Sequence, residues 1–272
     1  MKIYIIGVTG FIGQNLFDYY KNSHDVFYYI RGNDLIENLN RVKPDLIINC
    51  AAEIYNESSM FGTNIELVKD CLEYIKENKT TAMIHLGSSS EYGLNYDRAT
   101  KENDFLDVYD LYSATKAAAT LLCQGYARKH NLDVVIVRPY SPYGPGEKPH
   151  RLFPSLWKSF VLDRPMNLAD GVHDFCYIKD FLEAINCITI SNERTPGEII
   201  NVSTGVQYTN LEVLDLFRKI TGKNGNVTVL DKFTTPEIWK ADINHIQQKY
   251  GWSPKFSLED GIKDFLESAR YE

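Results

Sequence analysis

The sequence predicts an α/β fold, a doubly wound parallel sheet followed by a small C-terminal α/β lobe. Three observations predict it: short apolar runs that are nearly unbroken, amphipathic stretches that separate them, and a glycine-rich turn joining the first run to the first stretch. Strands covered on both faces read as continuous apolar runs, where a half-exposed strand would alternate. Amphipathic helices between such runs supply the long crossovers that parallel neighbours need.

In chain order, Ile3 to Ile6 is the first strand, and Gly7-Val8-Thr9-Gly10-Phe11-Ile12-Gly13 turns from it into a helix over Phe11 to Lys21. Val26 to Ile30 and Leu46 to Cys50 are further strands, and Glu57 to Glu77 is a second amphipathic stretch. A strand over Met83 to Leu86, a helix over Tyr112 to His130 and a strand over Val134 to Val137 continue the winding. After Pro139 the texture changes, because Tyr140-Ser141-Pro142-Tyr143-Gly144-Pro145-Gly146-Glu147-Lys148-Pro149 is too rich in Pro and Gly for a strand or helix. Helices follow near Phe153 to Leu162 and Lys179 to Ile190, then a strand near Ile199 to Val202 and helices near Asn210 to Thr221 and Leu258 to Ala269. The expected division is a dinucleotide-binding domain of residues 1–145 plus about 172–202, and a substrate lobe of about 146–171 plus 203–272.

Composition narrows the function classes. At 272 residues, with 44% hydrophobic and 24% charged, the chain can bury a large core as an ordinary globular protein. A formal net charge of -7 argues against a nucleic-acid or anionic-membrane partner, since either would want a basic face. Cys50, Cys71, Cys123, Cys176 and Cys187 form no CxxC pair, and the six histidines show no ligand spacing, so no metal is expected. The apolar start, Met1 to Ile6, gives way at once to glycines, and no apolar run approaches the ~18 residues of a membrane span. The chain is expected to stay in the cytosol.

The glycine turn stands where a dinucleotide fingerprint must stand, after a strand and at the head of a helix. Small residues let the backbone turn tightly against a pyrophosphate, whose charge the helix N-terminal N–H groups meet. The spacing is GxxGxxG rather than GxGxxG. Together with the winding, it marks the sheet as Rossmann-type. At the end of the second strand an acid would bind the adenosine ribose of NAD, and a base would receive the extra phosphate of NADP. This chain has Tyr29-Ile30-Arg31-Gly32-Asn33-Asp34. Arg31 points to NADP(H), while Asp34 close by keeps NAD(H) open.

Among the eighteen tyrosines, only Tyr112 has a lysine four residues later, Lys116. On a helix those positions share a face, so an ammonium could favour phenolate over phenol and lower the tyrosine pKa from about 10. A phenol so tuned can exchange a proton with a sugar hydroxyl. A solvated helical Tyr and Lys would leave the same trace, and only the glycine turn upstream favours the chemical reading.

With these residues the chain resembles the extended short-chain dehydrogenases/reductases, the NAD(P)-dependent epimerase/dehydratase family acting on nucleotide sugars. Nearly the whole chain takes part. Asn49-Cys50-Ala51-Ala52 is similar to the family's alanine pair over the cofactor, Asp34-Leu35 to its adenine-side pair, and Asn64 to the asparagine of the following helix. Gly87-Ser88-Ser89-Ser90-Glu91-Tyr92-Gly93 resembles the strand end that carries the catalytic Ser/Thr, which falls on Ser88, with Ser89 the runner-up. Arg138-Pro139 with Tyr143-Gly144-Pro145-Gly146, then Asp174 to Asp180 and Gly251-Trp252-Ser253-Pro254, resemble later signatures. The resemblance implies that Ser88 hydrogen-bonds the reacting oxygen, Tyr112 moves its proton, and Lys116 tunes Tyr112 and binds the nicotinamide ribose. The nicotinamide exchanges the hydride. Cofactor contacts are then expected from Gly7, Thr9, Gly10, Phe11, Ile12 and Gly13, from Arg31, Asp34 and Leu35, and from Ala51, Ala52, Asn64, Tyr112, Lys116 and Pro139. Substrate contacts are expected from Ser88, Ser89, Glu91, Tyr140, Arg151 and His173.

Three departures narrow the reaction. Family 4,6-dehydratases carry an acid one or two places after the Ser/Thr, where this chain has Ser89 and Ser90, so elimination of water is disfavoured. The arginine that precedes Asp-Phe and meets the substrate diphosphate is replaced by His173, leaving Arg151, Arg164 or Lys148 to take over. The chain is also short for the family. The expected function is an NADP(H)-preferring reductase of a 4-keto(-6-deoxy) nucleotide sugar in polysaccharide synthesis. The alternatives are a C4 epimerase with tightly held NAD and, from another class, a non-catalytic NAD(P)-binding module. A homodimer paired through the Glu57 to Glu77 and Tyr112 to His130 helices is expected by the same resemblance.

Overall fold

A computed structural model describes residues 1–94, 97–230 and 238–271. The first half runs β1 (Lys2–Ile6), α1 (Phe11–Tyr20), β2 (Asp25–Tyr28), α2 (Leu35–Val42), β3 (Leu46–Asn49), α3 (Glu57–Phe61), α4 (Leu67–Glu77), β4 (Ala82–Leu86), α5 (Leu111–His130) and β5 (Val134–Pro139). The second half runs β6 (Ser141–Tyr143), α6 (Leu152–Leu162), β7 (Met166–Leu168), β8 (Val172–His173), β9 (Phe175–Tyr177), α7 (Ile178–Ile190), β10 (Glu198–Val202), β11 (Tyr208–Thr209), α8 (Asn210–Thr221), β12 (Val227–Val229), α9 (Asn244–Tyr250) and α10 (Leu258–Ser268).

A six-stranded sheet in the order β10-β5-β4-β3-β1-β2 forms the centre, with every pairing parallel. Alternate residues of β1 feed two cores. Ile3 and Ile5 pack with Leu16 and Tyr20 of α1 and Phe181 of α7, whereas Tyr4 and Ile6 pack with Leu39 of α2, Leu72 of α4 and Cys123 of α5. Helices thus cover both faces, as the unbroken apolar runs require.

The winding reverses at β1, which has β2 on one side and β3 on the other. The crevice beyond the carboxyl ends of β1 and β3 is therefore the topological switch point where such sheets bind ligands. The common order 3-2-1-4-5-6 places another strand outside the second; here β2 is the edge, and the connection to β3 holds only α2.

Beyond β5 the chain builds small pairs rather than a second large sheet. β6 pairs with β9, β8 with β11 and β7 with β12. The β6 pairing corrects the expectation that Tyr140 to Pro149 holds no strand: Ser141–Tyr143 runs parallel to Phe175–Tyr177, and Pro142 is tolerated because the pair is a two-stranded edge. Buried carboxylates lock these segments. Asp174 accepts hydrogen bonds from the backbone N–H groups of Thr204, Gly205 and Ala241, and Asp180 accepts from those of Lys255 and Phe256. The helix expected over Glu57 to Glu77 is continuous but changes pitch, with a π turn at Gly62–Glu66 between α3 and α4.

Candidate active site

The glycine turn is dictated by contact as well as by conformation. Gly7 has φ +88°, and a side-chain carbon there would come within 2.7 Å of Ala51 N. At Gly13 it would overlap the Gly7 carbonyl. Gly10 is the N-cap of α1, with its N–H donated to Gly7 O at 3.0 Å, and no side chain caps the helix. No acid lies in the first turn, so free N–H groups and an uncancelled helix dipole face the crevice. Such a cradle fits a dinucleotide pyrophosphate. Thr9 is exposed beside it, while Phe11 and Ile12 are half-buried against the core. Across the turn, Ala51 N donates to Asn49 Oδ1, and Ala52 is exposed.

The serine-rich strand end follows β4. Ser88 is the N-cap of a short 3-10 turn, Ser89–Tyr92, in which Ser90 N donates to Ser88 Oγ and Ser88 N donates to Glu91 Oε1 at 2.8 Å. Ser-x-x-Glu here is a capping box. The other Glu91 oxygen meets the Arg138 guanidinium at 2.7 Å, both side chains being buried, and Thr120 Oγ1 donates to Oε1. Glu91 is thus a structural carboxylate behind the serines, which corrects its expected substrate role. Ser89 is buried in the same turn and Ser90 Oγ lies 2.7 Å from Ser88 Oγ, so Ser88 carries the exposed part of the triplet.

Asp110 caps α5 and so places Tyr112 in its first turn, where Ser88 acts on the phenol. Lys116, one turn on, is fully buried and donates from Nζ to the Leu86 carbonyl. The expected charge tuning is not what this arrangement shows. Burial raises the Tyr112 pKa above the usual value; the neighbouring Ser88 opposes it most strongly, and the cation that lowers it most is Arg151. Desolvation also lowers the Lys116 pKa, with Glu91 opposing. A phenol at that rim holds its proton at neutral pH.

Arg151 precedes α6 and lines a cavity of about 220 Å³ with Ser141, Glu147, His150, His173, Phe175 and Asn210 among others. His173 stands where the resemblance expects an arginine. Burial, with Arg151 adding to it, pushes the ring pKa down to about 4, so His173 is neutral and Arg151 is the cation of the cavity. Of the other basic candidates, Lys148 lies over the Tyr55 ring at 5.6 Å, and neither it nor Arg164 lines the cavity. Tyr140 packs against Trp239 and does not line it either. A larger cavity, about 440 Å³, lies among Glu102 to Leu106, α5 and β10, and none of the expected site residues lines it.

A model of the NAD dependent epimerase/dehydratase family matches residues 3–203. The chain belongs to that family. Among curated relatives it is 28% identical over 278 residues to an uncharacterized UDP-glucose epimerase of Bacillus subtilis, covering 95% of this chain and 87% of the relative. It is 25% identical over 257 residues to a dTDP-glucose 4,6-dehydratase of Streptomyces niveus, covering 89% and 75%. Among solved structures, the UDP-glucuronic acid 4-epimerase of Bacillus cereus, in complex with UDP-glucuronic acid and NAD, superposes with a TM-score of 0.85 at 24% identity, covering 98% of both chains.

As a member of this epimerase/dehydratase family the chain is a short-chain dehydrogenase/reductase enzyme acting on nucleotide sugars. Its remaining expected cofactor positions divide. Arg31 is exposed at the end of β2, with Nη2 donating to Thr63 Oγ1 at 2.7 Å. Asp34 Oδ1 is engaged as the N-cap of α2, accepting from Glu37 N, and Leu35 is buried beside Leu39 in the core, which corrects its expected cofactor contact. Asn64, buried in the π turn, clamps rather than contacts: its Oδ1 accepts from Glu53 N, and its Nδ2 donates to Glu53 O and Thr115 Oγ1. That ties the loop after β3 to α5 and so to Tyr112. Pro139 ends β5 half-buried. Sequence reasoning missed Ser141, Glu147 and Asn210 as cavity residues; the one available signal was the spacing Glu147 to Arg151, four residues within a turn entering a helix.

Proposed function

We propose that this family member reduces the C4 carbonyl of a 4-keto nucleotide sugar. The carrying observation is the Tyr112 phenol in the first turn of α5, held protonated by burial where Ser88 and the Arg151 guanidinium both act on it. An acid at that place suits the reductive direction, in which a proton must be given to the C4 oxygen. Ser88 donates a hydrogen bond to that oxygen and Tyr112 releases its proton to it. Arg151 meets the substrate diphosphate, and Lys116 stands beneath as the ribose partner of the cofactor. The dihydronicotinamide, when bound, supplies the hydride. Elimination is disfavoured because the nearest acid, Glu91, is committed to Arg138.

Arg31 supports a preference for NADP(H), since no acid ends β2 and its guanidinium is exposed. In this reading the enzyme serves polysaccharide precursor synthesis in the cytosol as a homodimer paired through α3, α4 and α5, a pairing supported by exposed Phe61 and Leu121 on those helices. The second reading is a C4 epimerase, favoured by the similarity to a UDP-glucose epimerase and by the NAD in the Bacillus cereus complex. Native mass spectrometry separates the two. A reductase is isolated largely free of dinucleotide and oxidises NADPH stoichiometrically with a 4-keto-6-deoxy sugar nucleotide; copurified NAD, with turnover needing no added cofactor, makes it an epimerase.

A further inference from the structure

Glu147 is the acid among the described residues lining the Arg151 cavity. It sits in the turn that leads into α6 and is 8% exposed. Its Oε1 accepts from Arg151 Nε at 3.4 Å, a long bond, and its buried Oε2 has no partner among the described residues. Burial pushes its pKa up to about 7, and Arg151 is what keeps it from rising further.

Among the described residues, the other groups around it supply no second cation that acts on it. From the C-terminal segment comes the Tyr271 phenol, itself pushed up to about 12 by burial and by Glu147. From β8 comes the neutral His173 ring. From α1 comes the Asn15 amide, which donates to Pro145 O. In its own turn, Lys148 lies over Tyr55, and His150 Nε2 is 3.2 Å from the Tyr55 hydroxyl. Arg151, by contrast, is 57% exposed and acts on Glu147, His173 and Tyr112 together.

We propose that Glu147 is a positioning residue that holds Arg151 in the free enzyme and takes up one proton from solvent when a nucleoside diphosphate claims the guanidinium. The proposal rests on the reading of this cavity as the diphosphate site. A buried carboxylate facing phosphate charge without its cation cannot stay ionised, and the proton it gains cancels the repulsion. The neutral acid then presents an O–H where the carboxylate had offered only lone pairs.

Two measurements test it. Calorimetric titration with UDP, and separately dTDP, at pH 8 in buffers of different ionisation enthalpy reads proton uptake directly. The wild-type enzyme takes up about one proton per bound nucleotide at pH 8 and close to none at pH 5.5, where Glu147 is already protonated, while Glu147→Gln binds with no uptake at either pH. No uptake by the wild type, or equal uptake by Glu147→Gln, overturns the proposal. Carbon-13 NMR of carboxyl-labelled glutamate in the ligand-free enzyme gives the second readout, with Glu147 assigned through Glu147→Gln. Its titration midpoint moves up by at least about one unit in Arg151→Ala if the two are coupled. An unmoved midpoint overturns the pairing whether or not nucleotide binds. If neither UDP nor dTDP binds the wild type while the midpoint moves, the cavity reading fails and the proton-linked swap with it, leaving only the pair.

Discussion

The Arg138 guanidinium and the Glu91 carboxylate meet at 2.7 Å with both side chains buried, behind the strand end that presents Ser88. Arg138 also lies over the Tyr92 ring, 4.4 Å from its centroid. Ser88 is thus held by a buried ion pair, through a capping box whose acid is itself the ion-pair partner. Removing one partner of such a pair leaves the other uncompensated, at a cost of about 3–5 kcal/mol. Glu91→Gln is therefore expected to lower the unfolding free energy extrapolated from urea titration by an amount in that range while leaving nucleotide affinity nearly unchanged. A variant of wild-type stability with weakened substrate binding would return Glu91 to the substrate site.

The same comparison shows where sequence was legible. β1, β3, β4 and β5 were readable because burial on both faces keeps their runs almost wholly apolar, and the Gly7 to Gly13 turn because two of its positions have no room for a side chain. Ser88 was singled out by the family resemblance and Tyr112 by its spacing to Lys116, and the structure puts the one at a strand end and the other in the first turn of a helix. Glu91 could not be placed, since a capping acid and a substrate acid occupy the same place in the sequence. Lys116 illustrates the other limit: its spacing from Tyr112 was visible, but its hydrogen bond to Leu86 O depends on how α5 lies on β4. Glu147 was hidden for a related reason, because only the packing of its turn buries it.

Glu147 gives a pH-dependent stability with a fixed sign. Its pKa is raised from 4.5 to about 7 in the folded protein, so the folded state binds the proton more tightly than the unfolded state. Stability therefore falls as pH rises between those values, and the loss is complete above the higher one. Arg151 is more than half exposed and loses little when left alone. Glu147→Gln should consequently raise the melting temperature at pH 8, equivalent to about 3 kcal/mol at full linkage, and leave it almost unchanged at pH 4.5. A thermal scan that finds the variant less stable at pH 8 contradicts the assigned burial.

Gly13→Ala forces a methyl group into the Gly7 carbonyl. The backbone of the turn must move, and with it the N–H groups that would face a pyrophosphate. Dinucleotide affinity, followed by fluorescence quenching, is expected to fall at least about tenfold, an order set by losing one charge-assisted hydrogen bond. Wild-type affinity in this variant would show that the turn does not carry the cofactor.

In the proposed reduction Tyr112 is the acid for the C4 oxygen, and the rate profile with pH measures that role most directly. With saturating NADPH and a 4-keto-6-deoxy sugar nucleotide, kcat should hold through neutrality and fall only in the alkaline range beyond the ordinary tyrosine pKa, as the phenol ionises. In Tyr112→Phe the rate should drop by about 10²–10⁴ at every pH while UDP affinity persists. A Tyr112→Phe enzyme that reduces the 4-keto sugar at the wild-type rate would contradict it.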